Sequence, residues 1–338
     1  MSVSPNTLIS KLDENLYTMP NISDTPPEAI QQNINALTTD LATKIPSKKL
    51  DQNLLIATWN IRHFGNLTRE WYSGDGDSPK RDLHSLLCIA EILKRFDIIA
   101  IQEVKSNLRA LRDTLKYLGN HWSLILTDVT AGAPGNGERI AYIFDTRRVQ
   151  LSGLACELVV PEEQLNAIEG DALRKQFART PYAVSFKSNQ HTFILVTAHI
   201  LYGKNTAARI PELKAIAGWL AEWTSNLNAY HQDMIVLGDF NINVRGDLLD
   251  QSFLSEGLYV PPQLQDPSVT RSIFNETKYY DQLAWFRDVS TNKELTMQFI
   301  NGGNYDFLPF ALSNRNLSKR SLSYMISDHY PLWAEFKI

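Results

Sequence analysis

Five apolar runs in this chain adjoin polar residues of types that move protons and hold hard cations. Leu55-Ile56-Ala57-Thr58-Trp59 is followed by Asn60-Ile61-Arg62, and Asp97-Ile98-Ile99-Ala100-Ile101 by Gln102-Glu103. Phe193-Ile194-Leu195-Val196-Thr197-Ala198 leads into His199, and Met234-Ile235-Val236-Leu237-Gly238 into Asp239-Phe240-Asn241, while Ser327-Asp328-His329 precedes a last apolar run. The C-terminal ends of buried strands are where α/β folds place ligands. Each end alone has an ordinary explanation, a solvated turn residue or a helix cap. Together they bring carboxylates, carboxamides and two imidazoles to one mouth. Those are the ingredients of hydrolysis assisted by a hard divalent metal, because Mg²⁺ prefers carboxylate and amide oxygens and imidazoles carry protons near neutral pH.

Other chemistries lack their residues. There is no H-E-x-x-H helix and no paired-cysteine motif for zinc, no glycine-rich phosphate loop, and no G-x-S-x-G elbow. The two cysteines, Cys88 and Cys156, are too few for a disulfide framework and are read as buried thiols.

The elements that must position these residues follow from periodicity. Strands are expected at 54–59, 97–102, about 122–128, 140–145, 149–160, 182–187, 192–198, 234–237, 279–286 and 331–336. Amphipathic helices are expected at 81–96, about 108–118 and about 207–227. Strands in quick succession between residues 122 and 198 imply hairpins beside crossovers, hence an α/β protein with mixed sheets. Residues 1–50 differ: they are polar and proline-bearing, with one helix from Glu28 onward whose Ile30, Ile34, Leu37, Leu41 and Ile45 recur at spacings of three and four. That stripe either docks on residues 51–338, read as one catalytic domain, or engages a protein partner.

At 338 residues, 43% hydrophobic and 21% charged, the chain has a globular composition. With 33 basic and 37 acidic residues its formal charge is −4, so no global positive field draws it to a polyanion; any nucleic-acid contact must come from a local basic patch. No signal-peptide pattern or membrane-length apolar run is present, and the expected compartment is the cytoplasm, with no membrane contact.

The ordered set Trp59-Asn60-Ile61-Arg62, Gln102-Glu103-Val104, Thr197-Ala198-His199, Gly238-Asp239-Phe240-Asn241 and Ser327-Asp328-His329-Tyr330-Pro331 resembles the endonuclease/exonuclease/phosphatase superfamily. Within it, Asn60-Ile61-Arg62-His63-Phe64-Gly65, Glu138-Arg139-Ile140-Ala141-Tyr142-Ile143-Phe144, Phe177-Ala178-Arg179-Thr180-Pro181 and Tyr280-Asp281-Gln282 are most similar to the deoxyribonuclease I family. The resemblance runs from about Leu54 to the C-terminus. It implies a four-layer sandwich of two packed mixed β-sheets flanked by helices.

The resemblance also implies roles. It pairs Glu138 with His199 and Asp281 with His329, each carboxylate fixing a tautomer so that one imidazole activates water and the other protonates the leaving oxygen. Glu103 and Asp328 would hold a cation, Mg²⁺ or in its place Mn²⁺ or Ca²⁺, with Asn60 nearby. Asp239 and Asn241 would orient the phosphate, the water or a second metal. Arg62, Lys105 and Arg179 would neutralise substrate phosphates. Two departures stand out: Lys105 replaces the family's usual Arg, and Asn136-Gly137 replaces its groove-stacking Tyr and basic residue. The implied activity is a Mg²⁺-dependent endonuclease on double-stranded DNA, leaving 5′-phosphate and 3′-hydroxyl ends. The alternatives are a phosphoesterase of the same fold acting on a phospholipid, an inositol phosphate or an abasic site, and an inactive binding module that recruits a partner through residues 1–50.

Overall fold

A computed structural model describes residues 19–130, 136–159, 177, 179–203, 206–225, 233–287 and 295–338. Two six-stranded mixed sheets lie face to face between helical layers, which is the four-layer α/β sandwich expected from the sequence. The first sheet holds β1 (Asn53–Phe64), β2 (Ile98–Lys105), β3 (Trp122–Leu126), β4 (Glu138–Asp145), β11 (Gln298–Asn304) and β12 (Leu332–Lys337), in the order β11-β12-β1-β2-β4-β3. The second holds β5 (Gln150–Glu157), β6 (Tyr182–Ser188), β7 (His191–His199), β8 (Met234–Ile242), β9 (Leu258–Tyr259) and β10 (Tyr279–Phe286), in the order β5-β6-β7-β8-β10-β9.

At the centre of each sheet is one parallel pair, β1 with β2 and β7 with β8, and the remaining pairs are antiparallel. The C-terminal ends of four central strands therefore open at one edge of the sandwich.

Alternation along β1 shows how the layers are specified. Leu54 and Ile56 join the core between the sheets, whereas Leu55, Ala57 and Trp59 face the outer helices α1 (Glu28–Lys44) and α2 (Leu83–Leu93). Successive strand side chains point to opposite faces, so a continuous apolar run is what a strand covered on both sides requires. On the far side, Leu213, Ile216, Ala217 and Leu220 of α4 (Ile210–Ser225) pack on the second sheet; α3 (Arg109–Leu118) flanks the first. The sequence expected α4 to run to Leu227, but 226–232 lie outside the described residues.

Helix α1 is part of the core. Ile30, Leu37 and Leu41 are fully buried in the same cluster as Trp59 and Leu86. Asn33 is buried too, donating from Nδ2 to Phe310 O and Ser313 Oγ, both at 2.8 Å, while its Oδ1 meets His84 Nε2 at 2.8 Å. Its apolar stripe is thus spent inside the fold and is not presented to a partner. Cys88 is buried as expected, but Cys156 is only half-buried: it packs against the core from the inward face of β5, a strand at the sheet edge with no neighbour on its outer side among the described residues.

Short elements carry little periodicity and escaped the sequence reading. They are β9, β11, α5 (Leu248–Leu254), α6 (Pro262–Gln265) and α7 (Lys319–Met325). Among the described residues no helix is long and apolar enough to cross a membrane.

Candidate active site

Three strands are bulged where they reach the open edge, and each bulge turns a polar side chain toward one cleft. Along β1, an advance of four residues from Asn60 to Phe64 matches an advance of two on β2, from Gln102 to Val104, and His63 takes φ 47°. On β2 the extra residue against β4 falls between Ile101 and Val104, where Glu103 takes φ 62°. On β8 it falls between Asp239 and Ile242, where Asn241 takes φ 51°. A bulge re-aims a side chain, and left-handed backbone at a residue other than glycine costs about 1–3 kcal/mol. Such strain persists only where the surroundings hold it.

Two buried arginines supply that hold by satisfying carbonyls that bulging frees from the ladder. Arg81, fully buried, donates from Nη1 to His63 O (2.9 Å) and from Nη2 to Arg62 O (2.7 Å) and Ile326 O (2.9 Å). Its Nε donates to Met325 O at 2.9 Å. Arg209 does the same for the third bulge, donating to Asn241 O at 2.6 Å and to Tyr202 O at 2.5 Å. Ser327 clips the Asp328-His329 turn to β1, its Oγ donating to Asn60 O at 2.5 Å and accepting from His329 N at 3.1 Å. Behind the cleft Gln102 Nε2 donates to Thr58 Oγ1 (3.1 Å) and Thr197 Oγ1 (2.9 Å), tying the two sheets together.

Gly238 sets the approach of β7 to β8. Its φ is 146°, and a Cβ there would lie 2.1 Å from the Ala198 carbonyl oxygen. Only glycine brings His199 and Asp239 into register as neighbours.

The cleft has a volume of about 470 Å³. Asn60, Arg62, Glu103, Glu138, Arg179, His199, Asp239, Asn241, Asp328 and His329 all line it, so the structure gathers nearly every residue singled out from the sequence. The other two lie close behind: Lys105 Nζ is 2.9 Å from Glu138 Oε1, and Asp281 Oδ2 is 2.7 Å from His329 Nδ1. His63, Tyr202, Phe274 and Tyr280 line the cleft as well and had not been singled out for the site. Tyr280 adjoins Asp281 in sequence, the one signal that could have marked it; Phe274 sits in an aperiodic loop that gives none.

Both imidazoles are flanked by carboxylates. His199 Nδ1 lies 3.3 Å from Glu138 Oε2, and its Nε2 3.5 Å from Asp239 Oδ2. His329 Nδ1 meets Asp281, and its Nε2 lies 3.8 Å from the same Asp239 oxygen. Asn60 Nδ2 donates to that oxygen too, at 2.9 Å.

The electrostatics follow from burial and these neighbours. Burial works to raise the Glu138 carboxyl, but His199, Arg179 and Lys105 outweigh it and hold the group well below the usual carboxylate range. Asp239 is likewise lowered against its burial, by His329 and His199 and then by bonds from Asn60 and the Asn241 N–H. Burial works to lower His329, yet Asp281 and Asp239 raise it well above the ordinary histidine value. Burial pushes Asp281 up to about 6 against the pull of His329. At neutral pH the buried pair is therefore an imidazolium on a carboxylate.

The cations expected to meet phosphate are engaged with carboxylates. Arg179 Nε is 2.6 Å from Glu138 Oε2, Lys105 holds the other Glu138 oxygen, and Arg62 Nη1 is 3.6 Å from Asp328 Oδ2. A corner richer in free oxygen lies at Asn60 and Glu103, whose Nδ2 and Oε1 are 3.4 Å apart; the other Glu103 oxygen accepts from His63 N at 2.8 Å. Asn60 Oδ1 is buried there without a hydrogen-bond partner among the described residues. Ligand atoms of Asp239, Asp281 and His329 also fall within 4.8 Å of one another, with His329 Nδ1 already paired with Asp281.

The chain is similar to known proteins in sequence and in fold. The chain is 28% identical over 313 residues, 88% of its own length and 74% of the other's, to a protein named deoxyribonuclease from Thioalkalivibrio sp. (strain K90mix). Its fold is similar to that of an endonuclease/exonuclease/phosphatase family protein from Bacteroides thetaiotaomicron (TM-score 0.54, 17% identity, 85% of this chain and 95% of that one). It is similar also to a mannosyl-6-phosphatase of Bacteroides thetaiotaomicron VPI-5482 (TM-score 0.52, 17% identity, 84% and 99%). Because the model of the Endonuclease/Exonuclease/phosphatase family matches residues 57–329, covering every cleft residue named above, the chain belongs to that family of phosphoester hydrolases.

Proposed function

We propose that the chain is a Mg²⁺-dependent endonuclease that hydrolyses DNA phosphodiesters to 5′-phosphate and 3′-hydroxyl ends. The carrying observation is the pair of carboxylate-oriented imidazoles whose Nε2 atoms converge on one oxygen of Asp239, at 3.5 and 3.8 Å. Hydrolysis needs one group to take a proton from water and another to give one to the departing oxygen. His329, kept protonated by Asp281 and Asp239, is the donor; His199, oriented by Glu138, is the acceptor. As the water oxygen bonds to phosphorus and the P–O3′ bond breaks, His199 gains the water proton and O3′ receives that of His329. Asp239 and Asn241, both buried, position the phosphate and the water between them.

Asn60, Glu103 and Asp328 fit a hard divalent cation. All three offer oxygen, and the buried Asn60 Oδ1 has an unused lone pair facing no donor among the described residues. A cation held by these residues would supply charge stabilisation to the phosphate under attack. Arg62 lies at the rim of the cleft to receive a flanking phosphate, while Arg179 and Lys105 act first on Glu138.

The relative named deoxyribonuclease favours DNA, whereas the mannosyl-6-phosphatase shares the fold alone. End-group mapping on a labelled duplex tests the reading. Products that DNA ligase reseals without kinase treatment are expected; 3′-phosphate ends would contradict it.

A further inference from the structure

Beside the cleft, two exposed tyrosines each carry an arginine guanidinium over one ring face. Arg62 Cζ is 3.9 Å from the ring centroid of Tyr324, which is 42% exposed, and Arg315 Cζ is 5.5 Å from that of Tyr72, which is 43% exposed. Arg62 lines the catalytic cleft; Tyr324, Arg315 and the exposed Arg320 line an adjoining cavity of about 470 Å³. The order along the surface is therefore cleft, Arg62, Tyr324, Arg320 with Arg315, and Tyr72.

We propose that this surface is a strip that binds an unpaired stretch of the DNA strand flanking the scissile phosphate. The proposal rests on the nuclease reading of the cleft and goes beyond it in naming what lies outside. Alternating aromatic faces and cations are what a single strand needs: bases stack on the rings and phosphates follow the charges. Both arginines are fixed in place. Arg62 Nη1 donates to Ser323 Oγ at 2.9 Å, and Arg315 Nη1 is 2.5 Å from Asp82 Oδ2. Each ring has an arginine on one side and is about two-fifths exposed, which leaves ring area for a base, although Tyr72 also meets the buried His84 ring edge-on. Arg320 stands four residues before Tyr324 on the same face of α7 and has no ion-pair partner among the described residues, which leaves it available to a phosphate. A base inside a duplex has both faces covered, so stacking here selects a flank that is single-stranded.

The test compares kcat/KM on a fluorescein-labelled single strand with kcat/KM on thymidine 5′-(p-nitrophenyl phosphate), both with Mg²⁺. Tyr324→Leu is expected to lower the ratio of the two by about 5- to 100-fold, and Tyr324→Phe to keep most of it. Tyr72→Leu should lower it too. Arg320→Ala, at a fully surface position, should lower it and flatten the dependence of log K on log salt by about 0.7. An unchanged ratio in all of these, with DNA still cut, overturns the strip alone. Equal losses on both substrates in Tyr324→Leu also overturn it, since the ring would then serve only to hold Arg62. A wild-type protein that hydrolyses the small diester yet leaves every DNA intact overturns the nuclease reading and the strip with it.

Discussion

His329 donates from Nδ1 to Asp281 Oδ2 over 2.7 Å, with both side chains buried at the floor of the cleft. Asp281 is the largest of the influences that hold the imidazolium against its burial. Replacing it with asparagine keeps the shape and removes the charge. In Asp281→Asn the His329 value falls, so the alkaline limb of the pH–rate profile moves to lower pH. The rate at neutral pH drops by about 10²- to 10⁴-fold. A pH–rate profile of kcat/KM for both proteins checks this; an unmoved alkaline limb would detach His329 from the proton donor's role.

Glu138 and His199 act on the second proton as a unit, so Glu138→Gln and His199→Ala are expected to be far from additive. Each costs about 10²- to 10⁴-fold in rate, and the double variant costs little more than the worse single one. Single-turnover rates for the four proteins of the cycle decide it. Losses that multiply would mean that the 3.3 Å contact between them has no part in catalysis.

Glu138 also links stability to pH. Its carboxyl is lowered in the fold, so its ionised form contributes stability that is fully present above the unfolded carboxylate range near pH 4, and that is lost as pH falls through the folded value. Glu138→Gln strands Arg179 and Lys105 and should cost about 3 kcal/mol at pH 7. The gap between variant and wild type should narrow in acid. Urea unfolding at neutral and acid pH measures both quantities, and a gap that widens in acid would reverse the sign.

At Gly238 the prediction is steric. Gly238→Ala places a methyl 2.1 Å from the Ala198 carbonyl oxygen and must push β7 from β8. A stability loss of at least about 1–3 kcal/mol is expected, with a loss of turnover, because His199 and Asp239 sit on the two strands being separated. A thermal melt and an activity assay on the same sample suffice; an active variant of wild-type stability would show that the register is not needed.

Much of the site was legible because catalytic side chains at strand ends interrupt apolar runs, and His199, Asp239 and Glu103 announce themselves in that way. What periodicity does not reveal is backbone direction. Nothing in Gln102-Glu103-Val104 signals the left-handed turn at Glu103, and nothing around Arg81 shows that a buried guanidinium staples β1 to the turn before Asp328. Charge partnership is equally hidden: Arg179 and Lys105, expected to meet phosphate, also contact Glu138, a residue distant in sequence. The stripe on α1 was visible as a pattern, but its burial against Trp59 and Leu86 depends on tertiary packing.

The central claim is that this cleft cuts DNA with a divalent cation, and a supercoiled-plasmid assay tests it most directly. Relaxed circles should form with Mg²⁺, disappear in excess EDTA, and fall by several orders of magnitude in rate with a folded Glu103→Ala protein. Undiminished nicking in EDTA, or an intact plasmid while inorganic phosphate or choline phosphate is released from a small phosphoester, would contradict the account.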